Sequence, residues 1–434
     1  MVDELKSLGI ELMVTFWPFM GMPCTKETDP HCGDSLHSAP YKGAVHWEEY
    51  ESKGFLAQNI SSGKPDSWWR YNTPSGNALV DATSKEAMKA TFGHWYEGYG
   101  KYGIRALWLD EAEPDRHGYT FGEWKLRNNE KEQITDAEVV PAWVKGWTDG
   151  FADGMASIGA EPGEYFILTR NMWTGTWKNG AALWSGDIGS RFEILAGQVR
   201  AGQGAAMSGI PLWTTDIGGY TGGDPTKATF QQLIVRWFQF GAFCPLFRLH
   251  GHRIVAHAVP QAHQCGATNG DNEVWNLAKD EGAEHGHYAG ITKVMHLRED
   301  LRDYVLRLNN HSVHTGMPMM RPLFLQFAAD KVCGEGKQVQ QLSQADSDAL
   351  GGQFTLGDDW LVNPVTVENA TSWRSYLPEL PPTHEWVYWW NQTQMKAGSW
   401  VNTSTPIDEF PLFFRCELSA GCLKQANQSN ESDV

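Results

Sequence analysis

Amphipathic helices and short apolar strands alternate along the first two-thirds of this sequence. Helical patterns begin near residues 3, 84, 141, 192 and 227, and a short apolar strand follows each of them, near residues 10, 104, 166, 210 and 246. Strands that are apolar along their whole length and are joined by helices are typical of a parallel sheet with helices on both faces. The sequence therefore predicts an α/β fold.

The strands end in residues with polar or charged side chains. At or near their carboxyl ends stand Asp110, Arg170, Asp216 and His250. Parallel α/β folds place their active sites at this end of the sheet. A doubly wound nucleotide-binding sheet is disfavoured, because no strand runs into a G-x-G-x-x-G turn and the chain has no G-x-x-x-x-G-K-[ST] loop. We therefore predict a (β/α)8 TIM barrel without a cofactor.

The number of βα units is smaller than a closed barrel requires. The pattern gives five strands and a possible sixth near residue 318, whereas a (β/α)8 barrel has eight. Because the chain starts inside a helix, we expect the first barrel strands to be absent from it and the barrel domain, residues 1–312, to be incomplete. A polar stretch rich in Gly, Pro and Ser, at about 20–80, is expected to form a long loop.

The pattern changes after residue 312. Short apolar or alternating runs are separated by Gly, Pro and Asp turns as far as residue 416. Such a pattern is typical of an antiparallel β-sandwich, which we predict for residues 313–416. The polar tail, residues 417–434, is expected to be disordered.

Composition narrows the choice of partner. A formal net charge of −17 disfavours nucleic acid, because an acidic surface repels phosphate. No apolar run approaches the roughly 18 residues of a membrane-spanning helix. The chain contains 21 Trp, 13 Tyr and 19 Phe, and aromatic rings beside carboxylates suit the faces and hydroxyls of sugars. The ordinary explanation, that these rings fill a large core, is favoured when composition is considered alone.

Cysteines and glycosylation sequons favour the secretory pathway or an extracellular location. Of the seven cysteines, Cys24 and Cys32 lie close together in the sequence, and so do Cys416 and Cys422. Both pairs lie in polar stretches where a disulfide could form. The N-terminus, however, lacks the features of a signal peptide. Sequons of the Asn-X-Ser/Thr type occur at Asn59, Asn310, Asn369, Asn391, Asn402, Asn427 and Asn430.

Three carboxylates, Asp110, Asp187 and Asp216, stand at or just beyond strand ends. Hydrolysis of a glycosidic bond uses two carboxyl groups, one protonated and one ionised. Each aspartate alone could be a helix N-cap, and each aromatic or histidine nearby could be an ordinary core residue. Their occurrence at successive strand ends favours a shared site. Candidate sugar-binding residues around them are Trp17, Arg170, Trp184, Trp213 and His250.

A catalytic metal site is the main alternative for these residues. His250, His252 and His257 lie close in sequence, and clusters of Asp and His also bind cations. Their spacing does not match a helical H-E-x-x-H motif, and the segment has the composition of a loop. We therefore predict no metal ligand here.

Four segments stand out along the chain: "LWLDEAEPD", "ILTRNMWTGTWKNGAALWSGDIG", "SGIPLWTTDIGGY" and "RWFQFGAFCPLFRLHGHR". They resemble successive signature blocks of glycoside hydrolase family 31, the retaining α-glucosidase and α-xylosidase family. The resemblance implies that Asp110 is the nucleophile and Asp187 the general acid/base. It also implies a sugar-binding subsite formed by Arg170, Asp216, His250, Trp108, Trp184 and Trp213. Glu111 and Glu113 are expected to organise the mouth of this site through hydrogen bonds.

The resemblance implies an exo-acting hydrolase that forms a covalent glycosyl-enzyme intermediate. Its substrate is an oligosaccharide or glycoside, and the forms "WLDEAEPD" and "WTTDIGGY" are closer to the α-xylosidase branch than to α-glucosidases. α-Glucosidase and α-galactosidase activities remain open, as does the oligomeric state. Members of the family carry an N-terminal β-sandwich and two further barrel strands upstream. The alternative is therefore a truncated, inactive carbohydrate-binding homologue.

Overall fold

The computed structural model describes nine parts of the chain: residues 1–23, 43–59, 63–65, 76–112, 124–125, 136–253, 274, 286–334 and 342–420. The chain divides into two compact units, Met1–Leu183 and Trp184–Val434. The domain boundary near residue 312 stays a prediction.

The first unit contains helices and mostly parallel strands. Its described helices are α1 (Val2–Ser7), α2 (Trp47–Lys53), α3 (Lys85–Gly98) and α4 (Asp136–Ser157). Its strands are β1 (Met13–Phe16), β2 (Phe19–Gly21), β3 (Gln58–Asn59), β4 (Asn77–Leu79), β5 (Ala106–Leu109), β6 (Trp124–Lys125), β7 (Phe166–Thr169) and β8 (Ala182–Trp184). The last residue of β8 belongs to the second unit.

The predicted parallel sheet is confirmed. Strands β1, β5, β7 and β8 pair in parallel in that order, with Leu107 opposite Val14 on one side and Ile167 on the other. Leu107 and Ile167 are fully buried, as expected for central strands. In the part of the chain that the structure describes, β1 pairs only with β5 and alternates exposed and half-buried residues. The barrel sheet is therefore open at β1.

Helix α3 begins as its sequence predicts. Ser84 is the N-cap, and its hydroxyl accepts a hydrogen bond from the backbone N–H of Ala87 at 3.3 Å. The sequence also predicts an apolar face from the helical spacing of Ala87, Met88, Phe92, Trp95 and Tyr99. The first four of these residues are buried, whereas Tyr99 is exposed.

Helices α3 and α4 approach closely because α4 presents glycines to α3. A Cβ added at Gly150 would lie 2.6 Å from Met88, and one at Gly154 would lie 2.2 Å from Phe92. Helix α4 begins at Asp136, five residues before Pro141, where the sequence predicts its start. Its Trp143 and Trp147 are fully buried with stacked rings, so these tryptophans serve the core.

The stretch predicted as a long loop contains regular structure where it is described. Strand β2 pairs antiparallel with β4, placing Phe19 opposite Leu79, and α2 buries Trp47 and Tyr50. The many Gly, Pro and Ser residues of this stretch predict a loop, and they outnumber the few aromatic residues that pack into the core.

The second unit begins with helices and strand β9 (Trp213–Thr214). Its described helices are α5 (Phe192–Met207), α6 (Ala228–Gly241), α7 (His287–Asp300), α8 (Arg302–Thr315), α9 (Leu323–Gln326) and α10 (Gln344–Gly351). The strand predicted near residue 246 is irregular. It runs parallel to the segment after β9, with an isolated bridge between Ile217 and Leu249.

The predicted antiparallel sandwich follows. Its strands are β10 (Met320–Pro322), β11 (Phe354–Leu356), β12 (Trp360–Val362), β13 (Ser372–Leu377), β14 (His384–Tyr388), β15 (Thr393–Met395), β16 (Ser399–Ser404) and β17 (Leu412–Glu417). One sheet has the order β10-β11-β12-β17-β14-β15, and β13 pairs with β16 in a second. Tyr376 of β13 and Trp386 of β14 share one buried core.

The prediction of a possible sixth barrel strand near residue 318 is wrong, because the strand found there belongs to the sandwich. Strand β10 pairs antiparallel with β11, with Met320 opposite Leu356. All three residues of β10 are buried. A short run buried on both faces looks alike in a barrel and in a sandwich, so the sequence pattern does not distinguish them.

The cysteines are only partly described. Cys416 is disulfide-bonded, while Cys244 and Cys333 are buried free thiols. Cys24, Cys32 and Cys422 lie outside the described residues, as does most of the predicted tail; its first residue, Glu417, ends β17. In the described part of the chain, no helix combines the length and apolar character needed to cross a membrane.

Candidate active site

In the first unit, Asp110 directly follows β5 and is fixed by several donors. The Trp17 indole Nε1 donates to its Oδ2 at 3.0 Å, and the Arg170 guanidinium lies 3.3 Å from its Oδ1. The backbone N–H of Glu111 also donates to Oδ1, at 2.9 Å. Only 15% of the Asp110 side chain is exposed. The structure therefore brings together three of the predicted residues, Trp17, Asp110 and Arg170.

Glu111 shares Arg170 with Asp110. Its Oε1 accepts a hydrogen bond from Arg170 Nη1 at 3.0 Å, which agrees with the organising role expected for it. Glu111 has a φ of 51°, a left-handed conformation that costs a residue with a Cβ about 1–2 kcal/mol. Strain of this kind concentrates at functional sites. Glu113 lies outside the described residues, and Trp108 is half-buried within β5.

In the second unit, Asp216 is fully buried two residues after β9. Its Oδ1 accepts a hydrogen bond from Arg248, whose guanidinium lies 5.7 Å from the Trp184 ring. Its Oδ2 has no hydrogen-bond partner among the described residues. Asp216 can therefore offer one oxygen to a further donor such as a hydroxyl group.

Burial controls the charge of Asp216. Removal from water raises the pKa of Asp216 to about 6, although the Arg248 guanidinium opposes the change. The nearby negative charge of Asp187 raises it further. Asp187 itself is exposed, three residues after Trp184, which is buried at the end of β8. Trp213 is buried in β9.

His250 is neutral at physiological pH. Burial lowers the pKa of His250 to about 3, and the positive charges of Arg248 and Arg253 lower it too. Its ring packs against Tyr220 with centroids 5.4 Å apart. A neutral imidazole has one nitrogen that donates and one that accepts, as binding a hydroxyl requires.

Two arginines that contact this part of the chain were not predicted as site residues from the sequence. Arg248 pairs with Asp216, and fully buried Arg253 donates to the carbonyls of Gly219 and Ile217, the latter at 3.1 Å. Both lie within the "FRLHGHR" segment that contains His250. Their presence could have been inferred from Asp216, because a carboxylate that is buried requires a charged or hydrogen-bonding partner.

Among the described residues, no cluster of metal-ligating side chains includes a predicted site residue. His257, which the metal alternative requires, lies outside them.

Comparisons with known proteins identify the family of this chain. The family model of the glycosyl hydrolases family 31 TIM-barrel domain matches residues 1–308, and that of the glycosyl hydrolase family 31 C-terminal domain matches residues 316–417. The α-xylosidase of Saccharolobus solfataricus is 26% identical over 416 residues, which cover 96% of this chain and 46% of that protein. The α-xylosidase A of Aspergillus niger is 26% identical over 457 residues, which cover 97% of this chain and 55% of that protein.

Among solved structures, the GH31 α-xylosidase from a soil metagenome, complexed with xylose, has a TM-score of 0.76 and 31% identity. The match covers 97% of this chain and 55% of that one. The chain thus spans about half the length of the curated relatives described above. Since the barrel-domain model alone matches well over half of its residues, the chain belongs to glycosyl hydrolase family 31.

Proposed function

We propose that this chain carries the catalytic residues of a retaining, exo-acting α-glycoside hydrolase of the α-xylosidase or α-glucosidase type. The observation that carries the proposal is Asp110, held at the carboxyl end of β5 by Trp17 and Arg170. A carboxylate fixed by several donors is ready to meet a sugar carbon without reorganising. Family membership supplies the reaction class.

In the first step, Asp110 attacks the anomeric carbon of the bound glycoside. Among the described residues, Oδ1 accepts two hydrogen bonds and Oδ2 one, which leaves more lone-pair density on Oδ2 for the attack. The bond from the anomeric carbon to the leaving oxygen breaks, and Asp187 gives its proton to that oxygen. The product is a covalent glycosyl ester on Asp110.

In the second step, Asp187 acts as a base. It takes a proton from water, whose oxygen attacks the anomeric carbon while the ester bond to Asp110 breaks. Each step inverts the carbon, so the α configuration is retained. Asp216 Oδ2, which has no hydrogen-bond partner in the described part of the chain, and the neutral His250 would bind sugar hydroxyls, and Trp184 and Trp213 would border the sugar.

An α-xyloside is the substrate that we favour. Two of the relatives that cover nearly the whole of this chain are named α-xylosidases, and one solved relative is complexed with xylose. α-Glucosides are the second candidate, since other relatives, such as the α-glucosidase 2 of Bacillus thermoamyloliquefaciens, are named for them. An inactive carbohydrate-binding homologue is the alternative outside catalysis.

Trapping of the covalent intermediate tests the proposal. We expect 5-fluoro-α-D-xylosyl fluoride to label the peptide that contains Asp110, detected by mass spectrometry, and the chain to hydrolyse p-nitrophenyl α-xyloside. Asp110→Asn should abolish both results. Asp303→Asn, which alters an exposed aspartate of α8, is the matched control and should change neither. Xylose binding without label or turnover would instead support the carbohydrate-binding alternative.

We also propose that the protein resides in the secretory pathway or outside the cell. The disulfide at Cys416 supports an oxidising compartment. Four of the sequon asparagines are described with their side chains, and all four are exposed, as glycosylation requires: Asn310, Asn369, Asn391 and Asn402. A mobility shift after treatment with an N-glycosidase would test this location.

A further inference from the structure

Helices α2 and α3 of the first unit bring three metal-ligating side chains together. His46 precedes α2, Glu49 lies in its first turn, and His94 lies on α3. His94 Nε2 is 2.9 Å from Glu49 Oε2, and His46 Nδ1 is 4.0 Å from the same oxygen. One donor atom from each residue lies within 4.8 Å of the other two. The three donor atoms therefore lie close enough together to bind a single ion.

The imidazole rings of His46 and His94 are stacked on each other. Their ring centroids are 3.5 Å apart, with 20° between the planes. The ring contact therefore joins the residue before α2 to α3.

A hydrogen bond between His94 and Glu49 explains only part of the arrangement. At 4.0 Å, His46 Nδ1 is too far from Glu49 Oε2 for a hydrogen bond. In a tetrahedral zinc site, ligand atoms about 2.0–2.1 Å from the metal lie roughly 3.4 Å from one another. The separations of 2.9 and 4.0 Å lie on either side of that value.

The surroundings hold these side chains in place. Tyr50, next to Glu49, is buried, and its hydroxyl lies 2.8 Å from Thr91 Oγ1 on α3. Lys53 Nζ donates to the second oxygen of Glu49, Oε1, at 2.7 Å. This contact orients the carboxylate so that Oε2 points toward the histidines. Between 27% and 42% of each of the three side chains is exposed, so that an ion and a completing water can enter.

We propose that His46, Glu49 and His94 form a Zn²⁺ site that ties α2 to α3. Two imidazole nitrogens and one carboxylate oxygen, with a fourth position for water, are a donor set that zinc uses in proteins. The site shares no residue with the group around Asp110. Its role is to fasten α2 to α3, and it is independent of the proposed glycosidase activity.

Metal binding by the whole chain tests the proposal. After EDTA treatment and dialysis, we expect calorimetric titration with Zn²⁺ to show one site per chain and Zn²⁺ to raise the Tm. Co²⁺ should give the visible absorption of a tetrahedral N/O site. His46→Asn and His94→Gln should each lower Zn²⁺ affinity by more than roughly 10- to 100-fold, since loss of an outer-shell partner alone costs that much.

Matched variants separate metal binding from folding. His296→Gln, which alters an exposed histidine of α7, should bind Zn²⁺ like the wild type. Glu49→Gln keeps an acceptor for Lys53 but removes the carboxylate, and it serves if a histidine variant fails to fold. The proposal is overturned if the metal-free wild type takes up no Zn²⁺, or if folded variants of His46, Glu49 and His94 bind it as tightly as the wild type.

Discussion

Two aspartates, one in each compact unit, are paired with arginine in contrasting environments. Asp110 is 15% exposed and accepts hydrogen bonds from Trp17, Arg170 and the backbone of Glu111. Asp216 is fully buried, and among the described residues only one of its oxygens has a hydrogen-bond partner, Arg248. Many donors fix the orientation of the first carboxylate, whereas burial raises the pKa of the second to about 6. The fixed carboxylate of Asp110 thus fits the proposed attack on the sugar carbon, and the buried carboxylate of Asp216 fits the proposed binding of sugar hydroxyls.

The largest effect that separates the two aspartates concerns catalysis. If Asp110 is the nucleophile, Asp110→Asn should lower kcat by on the order of 10⁴-fold or more, as removal of catalytic nucleophiles does. Asp216→Asn should act mainly on KM for p-nitrophenyl α-xyloside. Equal losses of kcat in both variants would remove the distinction between attack and recognition.

Arg170 tests whether orientation of Asp110 matters. Arg170→Met leaves Asp110 and Glu111 facing each other without their shared cation, so both carboxylates should move apart. We expect kcat/KM to fall by on the order of 100-fold, the cost of misplacing a catalytic group by about 1 Å. Arg191→Met, which removes an exposed arginine paired with Glu193, is the control and should leave kcat/KM unchanged.

The raised pKa of Asp216 predicts a pH-dependent contribution to stability. The folded-state pKa of about 6 lies above the ordinary value of 3.8, so the protonated form stabilises the fold below pH 4, and that contribution is lost as pH rises through 6. Asn cannot ionise. Between pH 4 and pH 7 the free energy of unfolding of Asp216→Asn should therefore rise relative to the wild type, by up to about 3 kcal/mol.

Denaturant unfolding of both proteins at the two pH values measures this difference. Asp346→Asn is a useful comparison, because the Arg374 side chain lowers the pKa of Asp346 and its dependence on pH should have the opposite sign. A constant difference between Asp216→Asn and the wild type across this range would contradict the assignment.

His250 should give the smallest effect. Because burial lowers its pKa to about 3, it stays neutral between pH 5 and pH 8 and should not shape the activity profile there. His250→Gln should raise KM by about tenfold, the worth of a hydrogen bond, without moving the pH profile of kcat/KM. A shifted profile would indicate that His250 titrates during the reaction.

Much of the fold could be predicted because its signals are local. The cap at Ser84 and the buried face of α3 depend on residues three or four positions apart, and both are confirmed. The apolar strand that ends at Asp110 is likewise encoded by consecutive residues. The catalytic roles of Asp110 and Asp187 came from family resemblance, and they stay predictions.

What the sequence did not supply depends on contacts between distant residues. The antiparallel pairing of β10 with β11 joins residues more than thirty positions apart. The sequence of a short buried strand does not indicate which strand it pairs with. Arg248 reaches Asp216 across 32 residues, and His94 reaches Glu49 across 45. The sequence by itself determined the helix-strand pairs α1-β1, α3-β5 and α4-β7 and the residues that follow β5 and β7. Only the tertiary structure decided which charges are buried together, because burial and pairing arise from the packed chain and not from neighbouring residues.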